Sequence, residues 1–180
     1  MEKAAGILIR KTPLTNTSLI VHWCTEEHGI IRTAAKGARR PGSPFAGKLD
    51  LFYSAEFTWA RSRRGDLHAL REAEVTHYRQ GIQADYLRVL AAAYFTTLIE
   101  RVAESDTPIA GLHGLLRRAL DWLDTHQPTE KAVLFFEREV AGDLGIHGEE
   151  GVSPIAAIGK VCHRIPEQRE KLILRLADRT

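Results

Sequence analysis

The hydrophobic pattern of this chain changes period once, near Val75, and that single change restricts the folds open to it. Before it, five strand-like segments at residues 6–10, 19–24, 30–35, 51–61 and 67–75 are rich in β-branched and aromatic residues. Turn chemistry separates them: Thr15-Asn16, Glu27-His28-Gly29, a long Gly/Pro-rich loop, and Arg64-Gly65-Asp66. After it, apolar residues recur every three or four places. Ile82, Tyr86, Val89, Leu90, Ala93, Phe95, Leu98, Ile99 and Val102 predict one long amphipathic helix. A second helix is predicted from Pro108 through Leu123. A third, capped by Thr129 after the break at Pro128, carries Val133 to Val140 and ends before Gly142 or Gly145. Two shorter helices are predicted at 154–162 and 166–177.

The resulting architecture is α+β: an N-terminal five-stranded OB-fold β-barrel over residues 1–77, followed by an α-helical domain over 78–180. A long fourth strand that bends around a small barrel supports the OB-type reading, and the groove and loops of that fold take single-stranded oligonucleotides. An SH3-like barrel has a similar strand count, and the pattern alone hardly separates the two.

Hydrophobic content of 44% and charged content of 27% are ordinary for a soluble globular protein. No apolar run approaches the length that spans a bilayer, and the first apolar stretch is too short for a signal peptide. A cytoplasmic protein with no membrane partner is expected. The net charge of +2 is unevenly spread: residues 1–80 hold 13 Lys and Arg against 8 Asp and Glu, whereas residues 81–180 hold 12 against 15. A polyanionic partner therefore belongs with the strand-rich part.

Within that part the charge concentrates in AAKGARRPGSPFAGKLDLF, residues 34–52, where Lys36, Arg39, Arg40 and Lys48 precede any carboxylate. A loop this basic, with glycines between its charges, can lie close to a phosphate backbone and release counterions. Arg61, Arg63 and Arg64 form a second cationic cluster, and all seven are candidate DNA contacts. Phe52, Tyr53, Phe57 and Trp59 lie nearby; bulk on both faces of their strand makes most of them core rather than base-stacking platforms.

Catalytic signatures are missing. GSPFAGK at residues 42–48 imitates a phosphate-cradling loop, but Leu49 stands where a magnesium-holding hydroxyl is needed and Pro44 lacks an amide hydrogen. Ser43 is not in a nucleophile elbow, and Glu72 with Glu74 reads as a solvated strand edge. Cys24 and Cys162 form neither a disulfide framework nor a zinc knuckle, the eight histidines contain no i, i+4 pair, and Cys162-His163 is the one metal-like adjacency. No metal ion, cofactor or enzymatic activity is expected. In the helical part, Arg117, Arg118 and Arg138 flank leucine and phenylalanine faces and are candidate partners for a peptide carboxylate.

The succession GILIRKT, SLIVHWCT, GIIRTAAKG, the AAKGARRPGS loop, LDLFYSAEFTWARS and DLHALREAEV resembles the N-terminal domain of the RecO family of recombination mediators. AAAYFTTLIERVAE and EKAVLFFEREVAGDLG resemble that family's helices, so the likeness covers roughly residues 4 to 145. It implies a nucleoid-associated DNA repair protein that anneals strands or loads recombinase. It also implies single- and double-stranded DNA, the acidic tail of single-stranded-DNA-binding protein and other recombination mediators as partners. Many members insert a four-cysteine zinc module after the third large helix; here DLGIHGEEGVSPIAAIGKVCHRIPEQ holds one cysteine. The alternative is a protein-interaction adaptor that keeps the fold without useful DNA affinity.

Overall fold

Alternation with period two builds the first half of the molecule. In β4 (Ser54–Ala60) the side chains of Ala55, Phe57 and Trp59 are buried, with Glu56 and Thr58 on the other face. The other strands are β1 (Glu2–Pro13), β2 (Leu19–Thr25), β3 (Gly29–Ala35) and β5 (Leu67–His77); β5 alternates at its start, whereas Gly6 to Ile9 of β1, Trp23 to Thr25 of β2 and all of β3 except Arg32 are buried on both faces. These strands close into a barrel in the order β1-β2-β3-β5-β4, with β3 and β5 parallel and the other pairs antiparallel. Leu8, Val21, Trp23, Ile31, Phe57, Trp59 and Leu70 fill it. Trp23 stacks on Phe57 at 4.3 Å between centroids, and its Nε1 donates to Thr33 Oγ1 at 3.0 Å, so the buried indole loses no hydrogen bond.

The computed structural model describes residues 1–103, 107–108, 111–146, 151–162 and 165–178. They separate into two units, one built on Met1–Tyr78 and one beginning at Arg79. The α+β class, a five-stranded barrel followed by helices, is the one read from the sequence.

Strand lengths differ from that reading. The long strands are β1 and β5, of 12 and 11 residues, and the fourth has only 7. The cause is Phe52, whose φ of 71° lies in the left-handed region and breaks an extended run. Its backbone is still held: Phe52 N donates to Leu8 O at 2.8 Å and Leu8 N to Tyr53 O at 2.9 Å, beside a bulge in β1 between Leu8 and Arg10.

The second unit is helical: α1 (Gln80–Gln83), α2 (Tyr86–Val102), α3 (Leu112–Thr125), α4 (Glu130–Asp143), α5 (Pro154–Cys162) and α6 (Gln168–Ala177). The single helix expected over 82–102 is two. Asp85 Oδ1 accepts from Leu87 N at 2.9 Å and Arg88 N at 3.0 Å, capping a new helix after α1. The second large helix starts at Leu112 rather than Pro108, after Gly111 at φ 86°, a conformation glycine adopts at little cost. Thr129 caps α4 as expected, its hydroxyl accepting from Ala132 N at 3.1 Å.

Candidate nucleic-acid interface

The basic loop between β3 and β4 is anchored at its centre. Phe45 and Leu49 are buried in the barrel core, and Lys11, at the end of β1, reaches Asp50 Oδ1 at 2.6 Å and Leu49 O at 3.3 Å. Successive tight turns join Arg40 N to Gly37 O, Ser43 N to Arg40 O, Ala46 N to Ser43 O and Lys48 N to Phe45 O, at 3.0 to 3.2 Å. Gly37, Gly42 and Gly47 reverse the chain at φ 69°, 70° and 73°. The apolar residues consequently plug the barrel, and Lys36, Arg39 and Arg40 face solvent. Among the described residues none of these three has a carboxylate partner. Lys48 differs: it pairs with Glu74 Oε1 at 2.5 Å.

The β4–β5 turn supplies the second cluster. Arg63 and Arg64 are exposed on it. Arg61 lies over the Trp59 ring at 5.0 Å and grips Glu2 through Nε at 3.1 Å and Nη2 at 3.4 Å, which holds the Glu2 carboxyl below its usual range. Of the aromatic residues, Phe52, Phe57 and Trp59 are buried and offer no stacking face, and Tyr53 is half-buried against the edge of Tyr78. Strand register reveals basic residues that sequence reasoning missed. Arg10 pairs with His22, and His22 with Arg32, in one outward row across β1, β2 and β3.

In the helical unit an apolar groove of about 460 Å³ runs between α3 and α4. Phe95 and Phe136, stacked at 4.1 Å, lie beneath it together with Leu115, and Trp122, Ala132 and Phe135 flank it. Arg118 and Lys131 supply charge at its edge, and Phe135 is 55% exposed. A neighbouring depression uses Lys131, Leu134 and the opposite side of Phe135, with Arg138 and Glu130. Arg117 lines neither; it points toward Asp121 at 3.9 Å. Lys131 and Trp122 were not legible as groove residues, because only the crossing of α3 and α4 brings them together.

Comparison with known families decides what this arrangement is similar to. Residues 1–79 match the family model for the recombination protein O N terminal, and residues 83–147 match that for its C terminal. The chain belongs to the RecO family. Its relatives include the DNA repair protein RecO of Rhodopirellula baltica, 29% identical over 166 residues that cover 92% of this chain and 59% of that protein. That of Actinobacillus pleuropneumoniae is 36% identical, covering 78% and 57%, and that of a Cyanothece species 31%, covering 77% and 46%. The RecO chain described here thus spans about half to three-fifths of the length of these curated relatives.

Cys24 is buried in β2, and burial pushes its thiol up to about 12, which disfavours the thiolate a nucleophile or metal ligand requires. Burial also raises the half-buried Cys162 thiol, and its neighbour His163 lies outside the described residues, as does His147. Among the described residues no group of three or more His, Cys, Asp or Glu side chains could hold a metal ion, and no helix is long and apolar enough to cross a membrane.

Proposed function

We propose that this RecO chain is a DNA-binding mediator of recombinational repair that works without covalent catalysis. The barrel neutralises DNA phosphates with Lys36, Arg39 and Arg40, helped by Arg63 and Arg64. The helical groove holds the acidic tail of single-stranded-DNA-binding protein through Arg118 and Lys131, with Arg138 in the neighbouring depression. Strand annealing or recombinase loading, alongside other mediators, follows from bringing both together. The observation that carries the reading is the sorting of one loop: apolar residues turned into the barrel, and three cations turned outward with no carboxylate to cancel them.

A second reading, an adaptor without useful DNA affinity, draws on the Lys48–Glu74 and Arg61–Glu2 pairs, which offset two of the seven candidate cations. Fluorescence anisotropy with a labelled single strand over a range of salt separates the two. Arg39→Ala with Arg40→Ala should flatten the slope of log affinity against log salt by about 1–1.5, since each single-strand contact contributes about 0.7. Binding should weaken alike for all sequences, because phosphate contacts position a strand without reading bases. An unchanged slope and affinity would favour the adaptor.

A further inference from the structure

We propose that the outer face of β1, β2 and β3 carries a phosphate track for one DNA strand, formed by Arg10, His22 and Arg32, and that Asp66 occupies its far end in the free protein. The proposal rests on the DNA-binding reading above and specifies the path that the strand takes.

Register establishes the row. Arg10 is opposite His22 and His22 opposite Arg32, whereas the flanking pairs Leu8–Trp23 and Trp23–Ile31 turn into the core. Alternation therefore directs Arg10, His22 and Arg32 outward together. Arg10 is exposed, and His22 and Arg32 are half-exposed. Adjacent strands lie about 4.8 Å apart, so the row is roughly 10 Å long. Lys36 opens the loop that follows β3, the strand of Arg32, and Arg63 and Arg64 lie on the turn that holds Asp66, so the row lies between the two basic loops in the sheet's connectivity.

Arg32 marks the far end. Its Nη1 donates to Asp66 Oδ2 at 2.6 Å, and its Nε has no hydrogen-bond partner although it is buried. A guanidinium whose Nη1 already holds an exposed carboxylate suits a phosphate, which accepts the same planar donors. Asp66 is able to yield the position. Its side chain is 55% exposed, so the released carboxylate returns to water, and it follows Gly65, whose α-carbon faces open space at φ 148°. Phosphate thus replaces carboxylate at Arg32, and the DNA arrives without leaving a charged donor unpaired.

The test is an anisotropy titration of the full chain with a labelled oligothymidylate across a salt series, with a melting curve for each variant. Arg10→Gln and Arg32→Gln should each flatten the log–log salt slope by about 0.7 and weaken binding several-fold, while Arg32→Lys keeps the slope. Asp66→Asn should tighten binding several-fold, and the gain should vanish in the Arg32→Gln, Asp66→Asn double variant. If the wild type binds and the Arg39, Arg40 variant weakens while Arg10→Gln and Arg32→Gln bind like wild type, the track is wrong and the DNA reading stands. Unchanged affinity in Asp66→Asn overturns the role given to Asp66. No binding by the wild type at low salt overturns both proposals.

Discussion

Glu137 on α4 and Arg169 on α6 form a two-pronged ion pair inside the helical unit: Nε reaches Oε1 at 2.6 Å, Nη2 reaches Oε2 at 3.1 Å, and the glutamate side chain has no solvent exposure. The Tyr94 hydroxyl of α2 donates to the same Oε1 at 2.7 Å, so one carboxylate joins three helices. Burial, reinforced by the charge of Glu137, pushes the Tyr94 hydroxyl well above its usual range, and the hydrogen bond to Glu137 raises Arg169. Removing one member of a buried pair costs about 3–5 kcal/mol, because the other is left uncompensated. Glu137→Gln should lose about that much in urea denaturation, and Glu137→Met with Arg169→Met should lose less. A single-variant loss below about 1 kcal/mol would refute the account.

Gly81 admits no side chain. A β-carbon there would lie 1.9 Å from the Asp124 carbonyl oxygen, while Gly81 N donates to Asp124 Oδ1 at 2.8 Å and Arg88 Nη1 donates to the Asp124 carbonyl at 2.8 Å. Gly→Ala in a helix ordinarily stabilises by about 0.5–1 kcal/mol; here Gly81→Ala should lower the melting temperature steeply. A melting temperature equal to or above wild type would contradict the packing.

Asp85 ties stability to pH. Its carboxyl is held below the ordinary 3.8, first by the hydrogen bond from Gln127 and then by the backbone N–H of Arg88. A folded value below the unfolded one means that its contribution is complete above the ordinary aspartate value and drains away as pH falls through the folded value. Asp85→Ala should cost about 1 kcal/mol near pH 7, and the gap to wild type should narrow below pH ~4. A gap constant down to pH ~2 would show that the charge contributes nothing.

Phe45 and the loop arginines should separate stability from binding. Phe45→Ala empties a buried site in the barrel mouth and should cost about 3–5 kcal/mol, whereas Arg39→Ala with Arg40→Ala should stay within about 0.5 kcal/mol per site. Chemical denaturation of the two variants checks this, and equal stability would mean that the loop is not anchored.

The helical groove should bind an acidic peptide ending in an aromatic residue and a free carboxylate. Arg118→Ala and Lys131→Ala should each weaken binding in calorimetry, Phe135→Ala more so, and Arg117→Ala should have little effect. An Arg117 variant as damaging as Arg118 would move the site elsewhere on α3.

The sequence by itself determined the class of each half. Alternating apolar residues and punctuating turns define five strands, three- and four-residue spacing defines helices, and both signals are local, so no tertiary information is needed. It also marked the β3–β4 loop as basic and Thr129 as a cap, since charge and capping chemistry sit in a few adjacent residues. The tertiary structure alone decided where the charge goes. Lys48 and Arg61 meet Glu74 and Glu2, residues 26 and 59 positions away, and Arg10, His22 and Arg32 align only after three strands pair. Phe45 became core because the turns of the basic loop fold it into the barrel, and helix 82–102 became two because Asp85 caps a new helix and is itself held by Gln127, a residue 42 positions away. Such contacts depend on register and helix crossing, set by the whole core packing at once rather than by any short window of residues.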